Sequence, residues 1–169
     1  ELKKLNLKKS IIPTFYKYKI EDIIKNKNKI SNLIIKKLAK KICIRSSYYL
    51  EDSKNKSMAG EFDGLSDLNN SKKNIILGIN KLVKQYKSKT KSKFIINQSE
   101  IIFQNYVFNS KLSGVVTNFS IQDGSDYYVI NYDDTSRLTN TVTSGSKTGG
   151  RVIHIFKKIN TGIGEMIKF

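Results

Sequence analysis

The sequence contains no tryptophan, one cysteine and one proline among its 169 residues. A single cysteine excludes a disulfide within the chain, and it also excludes a zinc site built from cysteines. Cys43 lies in the apolar run ICI, which favours a buried and unreactive thiol in a reducing compartment. We therefore expect a cytoplasmic protein without disulfides.

Long apolar runs are also missing. No stretch approaches the roughly 18 consecutive apolar residues that a membrane-spanning helix requires. The N-terminal stretch ELKKLNLKK has too few apolar residues for a signal peptide. Hydrophobic residues nevertheless make up 38% of the chain, which is enough for a core in one domain or in two small lobes. We expect no membrane partner.

Acidic residues are scarce, with 14 Asp and Glu against 31 Lys and Arg, and the net charge is +17. Only Arg45, Arg137 and Arg151 are arginines. Lysine is spread along the whole chain together with abundant Ile and Asn, as an AT-rich coding sequence would produce. This compositional explanation is favoured, and a basic module that binds nucleic acid or another polyanion is the alternative.

The spacing of apolar residues in the first part of the chain predicts helices around a strand. Apolar residues recur with helical spacing over 20–40, and a second helix is predicted at about 71–86. Between them, the run KICIRSS predicts a buried strand that ends at Arg45. The stretch 48–70 predicts a loop, or an extended segment with turns, and 87–93 predicts a solvated linker.

From about residue 100 the apolar period changes to two, which is typical of strands. The pair Asp123-Gly124 predicts a hairpin turn, and the Thr/Ser/Gly-rich stretch 133–150 predicts a loop. The predicted strands lie at 100–108, 113–121, 126–132 and 151–156. Helices followed by antiparallel strands favour an α+β fold in two lobes, 1–95 and 96–169.

Arg45 ends a predicted buried strand and is followed by two serines. Its planar guanidinium group can hold a phosphate through two parallel hydrogen bonds, and the serine hydroxyls and nearby amides can add more. A structural ion pair with Glu51 or Asp52 is the competing explanation. The residue types alone favour the ion pair.

Three further features of the sequence each have a functional and a structural explanation. The small residues Ala59 and Gly60 let backbone N–H groups approach phosphate oxygens, although most loop glycines only serve turns. Gln104 lies inside an apolar strand, where it can pair with the edge of an adenine or simply point out of the sheet. Pattern alone favours the second explanation. His154 has no partner at ligand or triad spacing and is better explained as structural.

Three stretches together resemble the nucleotide-binding domain of the pyruvate phosphate dikinase and phosphoenolpyruvate synthase family. The family signature VRSSA-x-x-EDS-x-x-x-S-x-AG-x-x-x-S-x-LNV is similar to IRSSYYLEDSKNKSMAGEFDGLSDL at 44–68. The family run VxVQxMV…aGVxFT is similar to IIFQNYVFNSKLSGVVTN at 101–118, and YYVxxxxGxGxxxVSG is similar to YYVINYDDTSRLTNTVTSG at 127–145. The three motifs occur in the order of the family. Gly64 and the pair Tyr48-Tyr49 depart from the signature.

The resemblance implies an ATP-grasp-like, two-lobed nucleotide-binding fold, present as a partial domain, with ATP between the lobes. It implies that Arg45 holds the ATP phosphates and acts in catalysis. The backbone around Ala59 and Gly60 would cover the phosphate chain, and Gln104 would line the adenine pocket. The full set of residues that the resemblance assigns to ATP is Arg45, Ser46, Ser57, Ala59, Gly60, Gln104, Tyr106 and Val107.

Proteins of this family split ATP and pass a phosphoryl or pyrophosphoryl group to a histidine on a separate domain, which then phosphorylates pyruvate or another acceptor. Such chemistry relies on positioning and on charge neutralisation by Mg²⁺. The family's lysine motif would precede residue 1 and its acidic metal-binding motif would follow residue 169. The resemblance therefore implies a fragment that supplies no metal ligand, and a catalytically inactive scaffold of the same fold is a further alternative.

Overall fold

Helices packed on a sheet form the first part of the chain, and strands form the second. The computed structural model describes residues 10–50, 52–53, 56–57, 61–135, 142 and 150–157, with the backbone alone at 52–53 and 56–57. The chain divides into two compact units, Glu1–Tyr106 and Val107–Phe169. The predicted α+β class is confirmed, since helices occur together with antiparallel sheets.

Twelve elements are present in the described residues. In chain order they are β1 (Phe15–Lys19), α1 (Ile20–Lys37), β2 (Lys41–Ser47), β3 (Asp52–Ser53), β4 (Lys56–Ser57), β5 (Leu65–Asn69), α2 (Lys72–Lys89), α3 (Lys93–Gln98), β6 (Glu100–Asn105), β7 (Ser113–Thr117), β8 (Tyr127–Asp133) and β9 (Arg151–Phe156).

A four-stranded sheet with the order β1-β6-β2-β5 organises the first unit. All three pairings are antiparallel. Because β6 lies between β1 and β2, it belongs to the first unit although it comes late in the sequence. The division of the chain therefore falls after Tyr106, whereas the sequence-based division falls at residue 95.

The predicted helix at 20–40 is confirmed as α1. Its apolar stripe is buried, with Ile20, Ile23 and Ile34 at most 1% exposed. The helix ends at Lys37 rather than Lys40 because Leu38 takes an extended conformation, and its backbone N–H closes the last turn on the carbonyl of Ile34.

The second predicted helix is confirmed as α2, which begins after Ser71. The hydroxyl of Ser71 accepts a hydrogen bond from the backbone N–H of Asn74, at 3.3 Å, as a helix N-cap does. The prediction of a solvated linker over 87–93 is wrong at both ends, since Lys87 and Lys89 lie in the last turn of α2 and Lys93 begins α3. Basic residues in a last turn favour the helix, because they interact with its negative end.

β5 is a strand that the sequence pattern did not predict. It lies in the stretch 48–70, for which the sequence predicts a loop or an extended segment with turns, and its pairing with β2 shifts register between Ile42 and Ile44. Within β5, Asp67 has a left-handed conformation with φ 53°. This irregularity removes the alternation by which a strand is recognised.

The second unit contains a three-stranded antiparallel sheet with the order β7-β8-β9. The strands predicted in this part of the chain are confirmed, although β7 ends at Thr117. The connection from β7 to β8 is therefore nine residues, 118–126, rather than the short turn at 122–125 that the predicted strands leave. Gly124 has φ 72°, and the Asp123 carboxylate accepts hydrogen bonds from the N–H and hydroxyl of Ser125. Most of the predicted loop 133–150 lies outside the described residues.

The core of the first unit lies between the sheet and the helices. Ile44 and Phe103 lie in register on β2 and β6, and both side chains are fully buried. The burial predicted for Cys43 is confirmed, since its side chain is 4% exposed. Helix α2 packs close to β2 at Gly78, where a Cβ atom would meet Cδ1 of Ile44 well inside van der Waals contact.

Gly78→Ala should therefore destabilise the first unit. A Gly-to-Ala change inside a helix ordinarily stabilises by about 1 kcal/mol, but overpacking of a core costs about 1–3 kcal/mol. We expect a net loss of about 1 kcal/mol in the free energy of unfolding, measured by urea denaturation. Because Ile44→Val removes Cδ1, Gly78→Ala should be less destabilising, or stabilising, in an Ile44→Val background. An equal effect of Gly78→Ala in both backgrounds would contradict this account of the helix–sheet contact.

Candidate functional site

The four-stranded sheet has two faces of different character. Helices α1, α2 and α3 pack on one face, against Ile44, Ile101 and Phe103. Alternation along the strands places the intervening residues on the opposite face, which we call the Arg45 face. Its central residues are Phe15, Lys17, Cys43, Arg45, Ile102 and Gln104.

Two cross-strand rows make up the centre of the Arg45 face. In the first row Gln104 of β6 pairs with Phe15 of β1 on one side and with Cys43 of β2 on the other. In the second row Ile102 lies between Lys17 and Arg45 in the same way. A third row, beside the second, consists of Lys19, Glu100 and Ser47.

Arg45 is exposed on this face. Within the part of the chain that the structure describes, its side chain makes no ion pair or hydrogen bond. The partners predicted for a structural ion pair were Glu51 and Asp52, whose side chains lie outside that part. The strand that was predicted to end at Arg45 continues to Ser47, so Arg45 is held in a regular ladder.

Ser46 and Arg45 are neighbours in sequence but lie on different faces. Ser46 pairs with Ile101, which is fully buried on the helix-covered face. The hydroxyl of Ser46 is therefore directed away from the guanidinium group of Arg45. Of the two serines that follow Arg45, it is Ser47 that shares its face.

The Gln104 side chain is half-buried on the Arg45 face. The Sγ atom of Cys43 lies 3.8 Å from Oε1 of Gln104 and 3.7 Å from its backbone carbonyl oxygen. Gln104 is also the diagonal neighbour of Arg45 across the β2–β6 pair, at a separation of about 7–8 Å. Two residues that the sequence assigned to one ligand thus share a face and lie close together.

The resemblance assigns the backbone near Tyr106 to the hinge of the adenine pocket and Val107 to its lining. The backbone N–H of Tyr106 donates a hydrogen bond to the carbonyl of Lys41, at 3.0 Å. This N–H is therefore engaged in extending the contact between β6 and β2. Val107 begins the second unit, and its side chain is 48% exposed.

The remaining assigned residues follow β2. Ser57 belongs to the short strand β4, which pairs with β3 so that Ser57 is opposite Asp52. Ala59 and Gly60 lie outside the described residues. The paired strands β3 and β4 therefore lie, in sequence, between Arg45 and the residues predicted to cover the phosphates.

The end of β2 is fixed by a buried tyrosine. The Tyr86 hydroxyl accepts a hydrogen bond from the backbone N–H of Ser47, at 3.0 Å, and donates one to the carbonyl of Glu100, at 2.8 Å. Tyr86 is fully buried. It therefore holds β2 and β6 together beside the third row of the Arg45 face.

Tyr48 and Gly64, which depart from the family signature, both have a role in packing. The ring of Tyr48 packs against the rings of Phe62 and Tyr86, with centroids 5.0 and 5.3 Å away, and burial raises the pKa of the Tyr48 hydroxyl. At Gly64, a Cβ atom would lie 2.9 Å from the carbonyl oxygen of Ile44. The larger residues of the family pattern do not fit at position 64 without a shift of this backbone.

Two residues on the Arg45 face, Phe15 and Lys17, were not predicted as site residues. The alternation in FYKYK would have placed them on one face of a strand, but only the register of β1 with β6 shows that this face also carries Arg45.

His154 belongs to β9 in the second unit, and its ring lies edge-on to the ring of Tyr127, with the centroids 6.0 Å apart.

The part of the chain that the structure describes contains neither a cluster of metal ligands nor a helix that could cross a membrane. No group of three or more His, Cys, Asp or Glu side chains is placed there to hold a metal ion. None of the helices in these ranges combines the length and the apolar composition that crossing a bilayer requires. In comparisons with protein-family models, curated proteins and solved structures, no match to the chain was found.

Tyr86→Phe should lower the free energy of unfolding by about 1–3 kcal/mol, because it leaves the N–H of Ser47 and the carbonyl of Glu100 without their buried partner. Tyr49→Phe is a matched control, since the Tyr49 side chain is 53% exposed and should change stability by less than about 0.5 kcal/mol. Urea denaturation measures both changes. Equal effects of the two substitutions would show that the Tyr86 hydroxyl does not hold the strands together.

Proposed function

We propose that this chain binds ATP as part of a phosphoenolpyruvate synthase-like phosphotransferase, which splits ATP and passes a phosphoryl group to a histidine on another domain. The observation that supports this most is that Arg45 and Gln104 lie on the same face of the sheet. The two residues were assigned to opposite ends of ATP by separate motifs, and they lie on one face of neighbouring strands.

The chemistry of the two side chains fits the two ends of a nucleotide. The guanidinium fork of Arg45 donates parallel hydrogen bonds to phosphate oxygens. The amide of Gln104 offers both a donor and an acceptor to the edge of an adenine. Because both belong to regular strands, their positions do not depend on a loop closing first.

For some of the residues assigned to ATP, the structure limits which groups can contact the ligand. Ser46 can contribute its backbone but not its hydroxyl to a ligand on the Arg45 face. The Tyr106 N–H is already bonded to the carbonyl of Lys41, so the backbone at Tyr106 would form the hinge of the adenine pocket without donating this hydrogen bond. Ser57, Ala59, Gly60 and Val107 are included on the resemblance of their motifs alone.

The metal and the phosphorylated histidine are proposed to lie outside this chain. Family chemistry uses Mg²⁺ to neutralise the charge on the phosphates, and the described residues provide no cluster that would hold this ion. The proposed work of this chain is therefore to bind and orient ATP. The phosphoryl acceptor would be chosen by other domains.

Arg45→Ala should weaken the binding of Mg²⁺-ATP by the intact protein, because a charge-assisted hydrogen bond contributes about 1.5–3 kcal/mol. We expect about a tenfold or greater rise in Kd, measured by isothermal titration calorimetry. Arg151→Ala is the control, since it removes the same charge from an exposed arginine in the second unit. If the two variants bound ATP as tightly as the unmodified protein, the proposal would be wrong.

A basic polyanion-binding module is the second candidate, and helix α2 favours it. This helix carries six lysines and no acidic residue. A polyanion site of this kind would bind a random DNA duplex with an affinity that falls steeply with salt. The same titration with duplex in place of ATP separates the candidates. Salt-sensitive duplex binding unchanged by Arg45→Ala, together with no ATP binding, would favour the polyanion module.

A further inference from the structure

Lys17 occupies a position on the Arg45 face equivalent to that of Arg45 itself. Each is the register partner of Ile102, Lys17 on β1 and Arg45 on β2. Neighbouring strands are about 4.8 Å apart, so the two Cα atoms are about 10 Å apart across the sheet. Two long cationic side chains therefore flank one apolar residue on the same face.

Lys17 already has a partner, but one that it can leave at little cost. Its Nζ atom lies 2.7 Å from Oε2 of Glu100, and the Lys17 side chain is 56% exposed. The Glu100 side chain is 22% exposed, but the lysine end of the pair is open to solvent, and surface ion pairs contribute about 0–1 kcal/mol. Exchange of the carboxylate for a phosphate is therefore favourable wherever a phosphate is held nearby by Arg45.

The rows on either side show a change in polarity along the strands. The row of Phe15, Gln104 and Cys43 carries no charge and includes an aromatic ring. One row further, Lys17 and Arg45 carry two positive charges. The next row contains Lys19, whose Nζ atom donates a hydrogen bond to Oε1 of Gln98, and Glu100, whose carboxylate pairs with Lys17. Three cations in these two rows are thus opposed by one carboxylate, and the net positive charge begins about 7 Å from the uncharged row.

This polarity matches a nucleoside polyphosphate, in which an aromatic base is joined to an anionic chain. Phosphates attract paired cations, and the face of a base packs against an aromatic side chain or apolar surface. The order of the rows places the base beside Phe15 and Gln104 and the phosphates between Lys17 and Arg45.

We propose that Lys17 is a second phosphate-binding residue, which together with Arg45 makes the Arg45 face selective for nucleoside di- and triphosphates over nucleosides. This inference rests on the proposed ATP-binding function and assigns to it a residue that the family motifs do not include. The competing explanation is that Lys17 only forms a structural ion pair with Glu100.

The two explanations differ in what they predict for Glu100. If Lys17 binds phosphate, Glu100→Gln releases it from its carboxylate partner and should leave ATP affinity unchanged or increase it. If the ion pair is only structural, Lys17→Gln and Glu100→Gln should have equal effects on ATP affinity. Both substitutions remove one charge and keep the side chain polar.

The test is a titration of the intact protein with ATP and with adenosine, using calorimetry or competition against a fluorescent nucleotide. Lys17→Gln should raise the Kd for ATP by about five- to twentyfold, because it removes a charge-assisted contact, and should leave the Kd for adenosine unchanged. Lys17→Arg should retain most of the affinity for ATP. Inorganic tripolyphosphate should compete with ATP, and less effectively in Lys17→Gln.

Lys29→Gln provides the control for net charge, since Lys29 is an exposed lysine on α1, in the helical layer that covers the other face. Equal ATP affinities of Lys17→Gln and Lys29→Gln would overturn the inference, as would equal losses in Lys17→Gln and Glu100→Gln. If Arg45→Ala weakens ATP binding and Lys17→Gln does not, only this inference fails. If the intact protein binds no ATP, the proposed function fails and this inference fails with it.

Discussion

The antiparallel pairing of β6 with both β1 and β2 is the constraint on which the account of this chain depends. This pairing brings three segments that are distant in sequence into one sheet and sets their register. Because side chains alternate between the faces of a sheet, a shift of one residue in either pairing would exchange the buried and the exposed sets. The burial of Ile101 and Phe103 under the helices therefore also directs Ile102 and Gln104 to the opposite face.

The same packing explains why the proposed site is preorganised. Arg45 lies two residues from the end of β2, where the hydroxyl of Tyr86 ties the strand to β6. Gly78 lets α2 approach Ile44, so the helical layer is held tightly against the strand that carries Arg45. A phosphate that approaches this face would meet side chains whose backbone is already fixed, and little ordering would be required on binding.

Much of the fold was accessible from the sequence, because α1, α2 and most strands have clear apolar periods. β5 was not, since its irregular pairing and the left-handed Asp67 interrupt the alternation, and α3, with six residues, is too short to show a helical period. For the site, the motifs assigned Arg45, Gln104 and Ser46 to ATP, but the alternation of β2 directs the Ser46 hydroxyl to the other face. Lys17 was missed because register between distant strands has no local signature in a sequence.

The most direct test of the central claim is a titration of the isotopically labelled protein with Mg²⁺-ATP, followed by NMR of the side-chain N–H groups. The account predicts that the Arg45 guanidinium and Gln104 amide resonances shift together and saturate at the same ATP concentration. Shifts confined to the lysine-rich surface of α2, with Arg45 and Gln104 unaffected, would contradict it.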